Sequence, residues 1–172
     1  LEYEDINLYK SNSNYFGALI GRTSGRIYNG EFTLNNEKYT LVKNDNKHHL
    51  HGGTTGYNKV FWEVLDYTDD RILLSYTSKD GEEGYPGNLE IEVEYRIENE
   101  DELVVEYKAV TDKDTIVDLT QHAYFNLSDN YKRTSLEHEL KIPAKYFLEL
   151  DEDGMVTETK KTVDNTSFDF NS

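Results

Sequence analysis

The sequence contains no cysteine, which excludes disulfide bonds, thiolate catalysis and cysteine-based zinc sites. A chain without cysteine fits a reducing compartment, and we expect a cytoplasmic location. Long apolar segments are also missing, because no run approaches the roughly 20 residues of a membrane-spanning helix. No secretory hydrophobic segment is visible either. We therefore expect no membrane partner.

Basic residues are few relative to acidic ones. Eighteen Lys and Arg stand against 34 Asp and Glu, which gives a formal net charge of -16. Such a field repels phosphate backbones and anionic lipid surfaces, so nucleic acid is not expected as a partner. It also disfavours a strongly anionic substrate. A neutral small molecule is the substrate class that fits this charge best.

Glycine and proline, at 11 and 2 residues, are too few for a low-complexity chain. Tyrosine occurs 14 times, and Thr, Val and Ile are plentiful, a composition that favours strands. At 172 residues the chain can bury a core, and we expect a single domain over residues 1–172. The predicted fold class is all-β, as an antiparallel β-sandwich.

Alternating apolar and polar residues predict short strands that are joined by hairpin turns. The expected strands are residues 31–34, 37–41, 60–67, 71–78, 89–97, 103–110, 115–127, 136–142 and 146–150. Asn35 and Asn36 tolerate the positive φ values of a tight turn, so they predict the first hairpin. Residues 1–16 are expected to form a loop or short helix, and the tail from Asp151 is expected to be irregular.

The stretch from Thr115 to Leu127 has two unlike faces when it is read as a strand. One face is predicted to join the core and carries Val117, Leu119, Gln121, Ala123 and Phe125. The other face carries Asp118, Thr120, His122 and Tyr124. This second row of hydrogen-bonding side chains indicates a surface that binds a polar, uncharged molecule. A single histidine on a strand is often structural, and the pattern by itself leaves both interpretations open.

The long loop over residues 44–56 is rich in His and Gly, and long loops in compact domains are often functional. His48, His49 and His51 resemble a zinc cluster. However, adjacent histidines cannot share one face of regular structure, so we expect no metal and no other cofactor. His48 and His49 are expected to be solvated. His51 precedes Gly52 and Gly53, which would let a ligand approach its imidazole closely, unless the loop is merely flexible.

Arginines and paired glutamates provide further candidates. Arg22 and Arg26 lie in a glycine-punctuated turn. Arg26 can donate hydrogen bonds to hydroxyl or ring oxygens, although composition alone favours an ion pair with the surplus carboxylates. Glu82 and Glu83 can be read as a glycosidase-type carboxylate pair. Adjacent carboxylates on a turn diverge, which disfavours that interpretation. No nucleophile-elbow serine or glycine-rich phosphate loop is present.

Five motifs follow one another along the chain. They are Gly21-Arg22-Thr23-Ser24-Gly25-Arg26-Ile27, Leu50-His51-Gly52-Gly53, Asp80-Gly81-Glu82-Glu83-Gly84-Tyr85-Pro86-Gly87-Asn88-Leu89, Thr111-Asp112-Lys113 and Gln121-His122-Ala123-Tyr124-Phe125-Asn126-Leu127. In this order they resemble the galactose mutarotase (aldose 1-epimerase) family, from about Tyr15 to Asp151. The resemblance implies a β-supersandwich with an open carbohydrate-binding cleft. It also implies an isomerase of hexose metabolism that interconverts the α and β anomers of an aldohexose such as galactose or glucose.

The resemblance further implies roles for three residues. His122 matches the general acid that protonates the sugar ring oxygen. Arg26 and His51 match residues that hold the ring oxygen and neighbouring hydroxyls. In the family, a glutamate near the C-terminus accepts the anomeric hydroxyl proton, and no glutamate of this chain matches that motif. Gly25 stands where many members have Asn, a variation that other members share.

Family members are much longer than this chain. We therefore expect the chain to lack the first strands and the C-terminal part of the family fold, and to have little epimerase activity alone. Open strand edges are expected to favour self-association or a complementing chain. Two alternatives are a non-catalytic carbohydrate-binding β-sandwich and a sugar-phosphate epimerase, the second disfavoured by the acidic charge.

Overall fold

The computed structural model describes residues 1–128 and 132–171. Strands β1 to β12 are Ala18–Ile20, Arg26–Ile27, Glu31–Leu34, Glu37–Thr40, His49–Leu50, Glu63–Tyr67, Arg71–Ser78, Leu89–Glu98, Glu102–Thr111, Thr120–His122, Tyr146–Leu150 and Val156–Thr162. Short 3-10 helices are Ile6–Ser11, Tyr28–Gly30, Glu82–Gly84 and Ser135–Glu137. The polar loop expected after Leu127 includes residues 129–131, which lie outside the described residues.

The chain forms two compact units. One comprises residues 2–124, and the other comprises residues 125–172 together with Leu1. The expectation of a single domain over residues 1–172 stays a prediction. All three candidate site residues, Arg26, His51 and His122, lie in the first unit.

The first unit is built around an antiparallel sheet in the order β6-β7-β8-β9. Strand β8 is central and alternates as its sequence predicts, because Leu89, Ile91 and Val93 are fully buried while the intervening glutamates face out. Each such side chain contributes about 1.5–3 kcal/mol through burial. Leu19 and Tyr57 complete the buried cluster. This core therefore lies on one face of the sheet.

The predicted hairpins are confirmed. Strands β3 and β4 pair across Asn35 and Asn36, whose φ values are 52° and 63°. Strands β8 and β9 pair along their whole length across Asn99 and Glu100, whose φ values are 50° and 70°. Two consecutive positive φ values are the geometry of a primed turn, which matches the twist of the strands it joins.

The strand expected over residues 115–127 is much shorter than predicted. Only Thr120–His122 forms a named strand, because its partner β1 is itself three residues long, and Asp118 adds an isolated parallel bridge to Thr23. Val117 and Phe125 are 42% and 72% exposed, so the proposed core face does not continue past the paired segment. Leu119 does pack on the core. The period-two pattern was correct locally and wrong in its extent.

The second unit differs from the prediction in two places. Residues 136–142 form no strand, and a 3-10 helix at Ser135–Glu137 is capped by Thr134, whose side chain accepts a hydrogen bond from Leu136 N. The tail expected to be irregular contains β12, which pairs antiparallel with β11. Its threonines and Val156 favour extended backbone without an apolar periodicity. The missing periodicity explains why this strand escaped prediction.

The all-β, antiparallel class is nevertheless confirmed, because every pair of named strands is antiparallel. Among the described residues, no helix has the length and apolar character needed to cross a lipid bilayer.

Candidate functional site

Two short strand pairs bring the predicted site residues together. Strand β1 pairs with β10 so that Ala18 lies opposite His122, and β2 pairs with β5 so that Arg26 lies opposite Leu50, next to His51. The two pairs are linked by backbone bonds from Ser24 N to Asp118 O, at 2.7 Å, and from Asp118 N to Arg22 O, at 3.0 Å. The motif segments thus form one framework for residues far apart in sequence.

The two candidate imidazoles are neighbours. The ring centroids of His51 and His122 are 5.2 Å apart, with the planes nearly perpendicular. Tyr15 contacts both, with centroid distances of 4.9 Å to His51 and 5.6 Å to His122. Tyr124 lies 5.0 Å from His122. The site is therefore an aromatic cluster in which the rings stand close together and bear polar edges.

The hydrogen bonding of His51 fixes which of its nitrogens can donate. Gly25 N donates to Nδ1 of His51 at 3.1 Å, so Nδ1 is an acceptor and the neutral ring carries its proton on Nε2. Burial lowers the pKa of His51, and the nearby charges of His122 and Arg26 lower it further, against an opposing effect of Asp45. Near neutral pH, His51 therefore presents an Nε2–H donor.

Arg26 forms an ion pair, and its role toward a substrate stays a prediction. Its Nε donates to Asp45 Oδ2 at 2.6 Å, the ion pair that composition favoured. Its charge also acts on His51, as the lowered pKa of that imidazole shows. The guanidinium remains about a third exposed. The Arg26 guanidinium is thus held by the Asp45 carboxylate, one strand pair away from His51.

Arg22, four residues earlier, has a different role. It is only 1% exposed, and its guanidinium donates to Pro86 O at 2.7 Å, Ser78 Oγ at 2.6 Å and Thr115 Oγ1 at 3.2 Å. It also lies over the Tyr85 ring. A buried cation with acceptors from three segments stabilises the framework behind the site.

The expectation that His48 and His49 are solvated is wrong, because both are buried. His49 Nδ1 lies 2.6 Å from Val42 O, so it donates, and Nε2 accepts from the Tyr85 hydroxyl at 2.6 Å. Thr23 Oγ1 lies 2.6 Å from the same hydroxyl and must then donate to it. Pairing of β2 with β5 draws these loop residues inward, an effect of tertiary structure that local polarity does not reveal.

The buried His49 gives the fold a pH dependence. Burial lowers the pKa of His49, despite its bond to Val42, so below about pH 6.5 the unfolded chain binds more protons than the folded one. Stability is therefore expected to be present above that pH and to fall as the pH drops. His51, whose pKa is also lowered, acts in the same direction. Urea denaturation between about pH 7.5 and pH 5.5 measures the slope.

Matched variants assign that slope. His49→Gln keeps a donor and an acceptor but does not titrate, so its stability should depend less on pH across this window. Tyr85→Phe removes the hydroxyl that donates to His49 but leaves the imidazole, so it should lose stability and keep the slope. An unchanged slope in His49→Gln would contradict the assignment.

Glu82 and Glu83 are engaged structurally. Glu82 accepts hydrogen bonds from Tyr76 Oη and Ser78 Oγ, each at 2.7 Å. Glu83 accepts from the backbone N–H groups of Thr54 and Thr55, at 3.0 Å and 2.8 Å. Glu83 therefore holds the loop that follows His51. Its carboxylate does not pair with that of Glu82 in the manner of a glycosidase.

Two contributors to the site, Tyr15 and Asp45, escaped sequence reasoning, and Glu83 was considered only as half of a glycosidase-type pair. Asp45 precedes the histidines in the same loop. Among the 34 acidic residues of the chain, nothing in the sequence distinguished it. Tyr15 and Glu83 have φ values of 57° and 51°. Their residue types do not predict such positive values. In the part of the chain that the structure describes, no three His, Asp or Glu side chains are grouped so as to hold a metal ion.

Comparisons with known proteins identify relatives over nearly the whole chain. The aldose 1-epimerase family matches residues 1–172. The aldose 1-epimerase of Haemophilus influenzae is 37% identical over 166 residues, which are 96% of this chain and 48% of that protein. The galactose mutarotase of Bos taurus is 39% identical over 169 residues, which are 98% of this chain and 49% of that protein.

Solved structures support the same family relationship. A galactose 1-epimerase from Lactobacillus acidophilus NCFM is 32% identical with a TM-score of 0.87, covering 100% of this chain and 51% of that one. An aldose epimerase homologue from C. elegans is 28% identical with a TM-score of 0.88. These likenesses confirm the predicted mutarotase-type sandwich. The chain spans about half the length of the curated relatives it matches, and it belongs to the aldose 1-epimerase family.

Proposed function

We propose that this chain supplies the acid and the substrate-binding side of an aldose 1-epimerase site for an aldohexose such as galactose or glucose. The observation that carries the proposal is the convergence of His51 and His122, with ring centroids 5.2 Å apart, beside Arg26. These residue types act as proton donors and hydrogen-bond donors toward sugar oxygens. The net charge of -16 favours a neutral sugar over a phosphorylated one.

His122 is the proposed general acid. It gives a proton to the ring oxygen while a base accepts the proton of the anomeric hydroxyl. The bond between C1 and the ring oxygen breaks, and the free aldehyde forms. Rotation about C1–C2 and the reverse proton transfers close the ring as the other anomer. Imidazoles suit this task because they exchange protons near neutral pH. The base is assigned to no residue of this chain.

His51 and Arg26 are the proposed binding residues. The Nε2–H of His51 is available because Nδ1 already accepts from Gly25 N. The ion pair of Arg26 with Asp45 uses Nε, which directs the rest of the guanidinium fork to other acceptors. Donors of this kind stabilise negative charge that develops on sugar oxygens. No bound cofactor is required by the proposed chemistry.

A non-catalytic carbohydrate-binding protein is the second candidate. It is favoured by the state of two nearby carboxylates: Asp45 is paired with Arg26, and Asp118 accepts from the Ser24 hydroxyl at 2.5 Å. Both carboxylates are thus already engaged by groups of this chain. This candidate predicts sugar binding without any acceleration of anomer exchange.

Polarimetry of freshly dissolved α-galactose and α-glucose tests the proposal. The chain is measured alone and mixed with a fragment that covers the half of a relative it does not match. We expect little activity alone and clear acceleration over spontaneous mutarotation in the mixture. Full activity of the chain alone would contradict a divided site. NMR of the same samples shows whether added sugar shifts the His51 and His122 resonances. If it does, and anomer exchange is accelerated in neither sample, the second candidate is favoured.

A complementing chain or a second copy is also proposed as a partner. Within the described sheet, β6 and β9 are the edge strands, and unpaired edges pair readily with another chain. Apolar side chains on them are exposed, including Tyr67 and Val110. Light scattering of the chain alone tests this, and a clean monomer would count against self-association. The proposed compartment is the cytoplasm, which cell fractionation would test.

A further inference from the structure

The Tyr15 ring packs against both histidines, which also contact each other. Its ring is stacked on His122, with an interplanar angle of 29°, and meets His51 edge to face, with an angle of 66°. It is half-buried. Burial raises the pKa of its phenol, and Asp45 adds to that effect. The hydroxyl therefore stays protonated at neutral pH, and the contacts of Tyr15 with the histidines are those of its ring.

The backbone of Tyr15 is held in an unusual conformation. Its φ is 57°, a left-handed value that is uncommon for a bulky residue and tends to occur at functional sites. The side chain of Asn12 maintains the turn, because it accepts from Phe16 N at 2.9 Å and donates to Phe16 O at 3.0 Å. Tyr15 O accepts from Ala18 N at 3.0 Å, in the strand that pairs with His122. This turn directs the phenol ring onto the imidazoles.

His122 depends on these ring contacts for its orientation. Among residues 1–128 and 132–171, no group donates to or accepts from its imidazole nitrogens. His51, by contrast, is fixed through Nδ1 by Gly25 N. Stacked and edge-to-face rings constrain one another with specific geometry. A general acid must be held within a narrow angular range to deliver its proton.

We propose that Tyr15 is a positioning residue that sets the orientation of the His122 imidazole through ring stacking, and so supports proton delivery to the substrate. The inference rests on the proposed acid role of His122. It predicts that the aromatic ring matters and the hydroxyl does not. It also predicts that the effect falls on turnover more than on substrate affinity, since Tyr15 acts through His122.

Three variants of the full chain test the inference. Tyr15→Leu removes the ring and keeps an apolar side chain, whereas Tyr15→Phe removes only the hydroxyl. Tyr9→Leu is the matched control, because Tyr9 is also half-buried and packs edge to face on Tyr3, and its ring contacts neither His51 nor His122. The orientation of the His122 imidazole is followed by NMR in the free chain, through NOE contacts between its ring protons and the Tyr124 ring that lies 5.0 Å away. Turnover and KM are measured in the complemented mixture.

We expect Tyr15→Leu to change the NOE contacts of the His122 ring and to lower kcat by about tenfold to a hundredfold, with KM changed less than about threefold. Tyr15→Phe and Tyr9→Leu should both leave these readouts as in the wild type. Unchanged NOE contacts of His122 and normal turnover in Tyr15→Leu would overturn the inference, as would an equal effect of Tyr9→Leu. If the wild type neither binds nor converts sugar, the proposed function fails, and the NOE contacts in the free chain still decide whether Tyr15 orients His122.

Discussion

Replacing His122 with alanine is expected to lower epimerase turnover in the complemented mixture by about a hundredfold to ten-thousandfold, the usual contribution of a positioned general acid. Sugar affinity should change far less, because His51 and Arg26 supply the proposed binding contacts. The imidazole lies in a cluster with His51 and Tyr15, where a proton donor is close to binding groups. Polarimetry gives turnover, and NMR titration with galactose gives affinity.

The matched control is His138→Ala. His138 interacts with Ser128, at 2.9 Å, and with Leu127 N, in the other compact unit. It should leave turnover and affinity near wild type. If His122→Ala reduces affinity as strongly as turnover, the residue binds sugar and is not the acid. If it changes neither, the acid lies elsewhere.

Replacing Gly52 with alanine is expected to destabilise the chain by more than about 4 kcal/mol, a size reserved for severe steric or packing defects. A Cβ on Gly52 would lie 1.6 Å from the carbonyl oxygen of Gly21 and 2.8 Å from Arg22 N. Both contacts are with backbone and cannot be relieved by turning a side chain. The loop carrying His51 would have to separate from the Gly21–Arg22 segment, which also displaces the site.

Gly81→Ala separates this clash from backbone strain. Gly81 has a φ of +83°, almost the +84° of Gly52, and nothing lies within 4 Å of its added Cβ. The left-handed conformation alone should cost about 1–2 kcal/mol in that variant. Urea denaturation compares the two free energies of unfolding. Equal losses would show that the close approach of Gly21 and Gly52 is unimportant.

Local chemistry made several features of the fold predictable. Asn35 and Asn36 predict the first hairpin, because asparagine tolerates the positive φ values that both residues adopt. The alternation of apolar and polar residues around Ile91 and Val93 predicts a half-buried strand, which is observed. The glycines after His51 were expected to let a ligand approach, whereas Gly52 packs against the backbone of Gly21 and Gly53 against the side chain of Glu83.

Other features depend on contacts that the sequence does not display. His48 and His49 look solvated in a polar loop but are buried by strand pairing. The strand around His122 looks long and is limited by its three-residue partner. The meeting of Arg26, His51 and His122 was expected only from the resemblance to a family, because residues 26, 51 and 122 come from separate strand pairs. Their chemical roles stay proposals.

The buried guanidinium of Arg22 bears on the order in which the protein folds. Its acceptors on Ser78, Pro86 and Thr115 are 56, 64 and 93 residues away along the chain. Contacts this distant close large loops and form slowly compared with local hairpins. The β7-β8-β9 meander can assemble early from near neighbours, and the segment bearing Arg22 joins it afterwards. The candidate site would then be among the last parts to form, after the sheet that supports it.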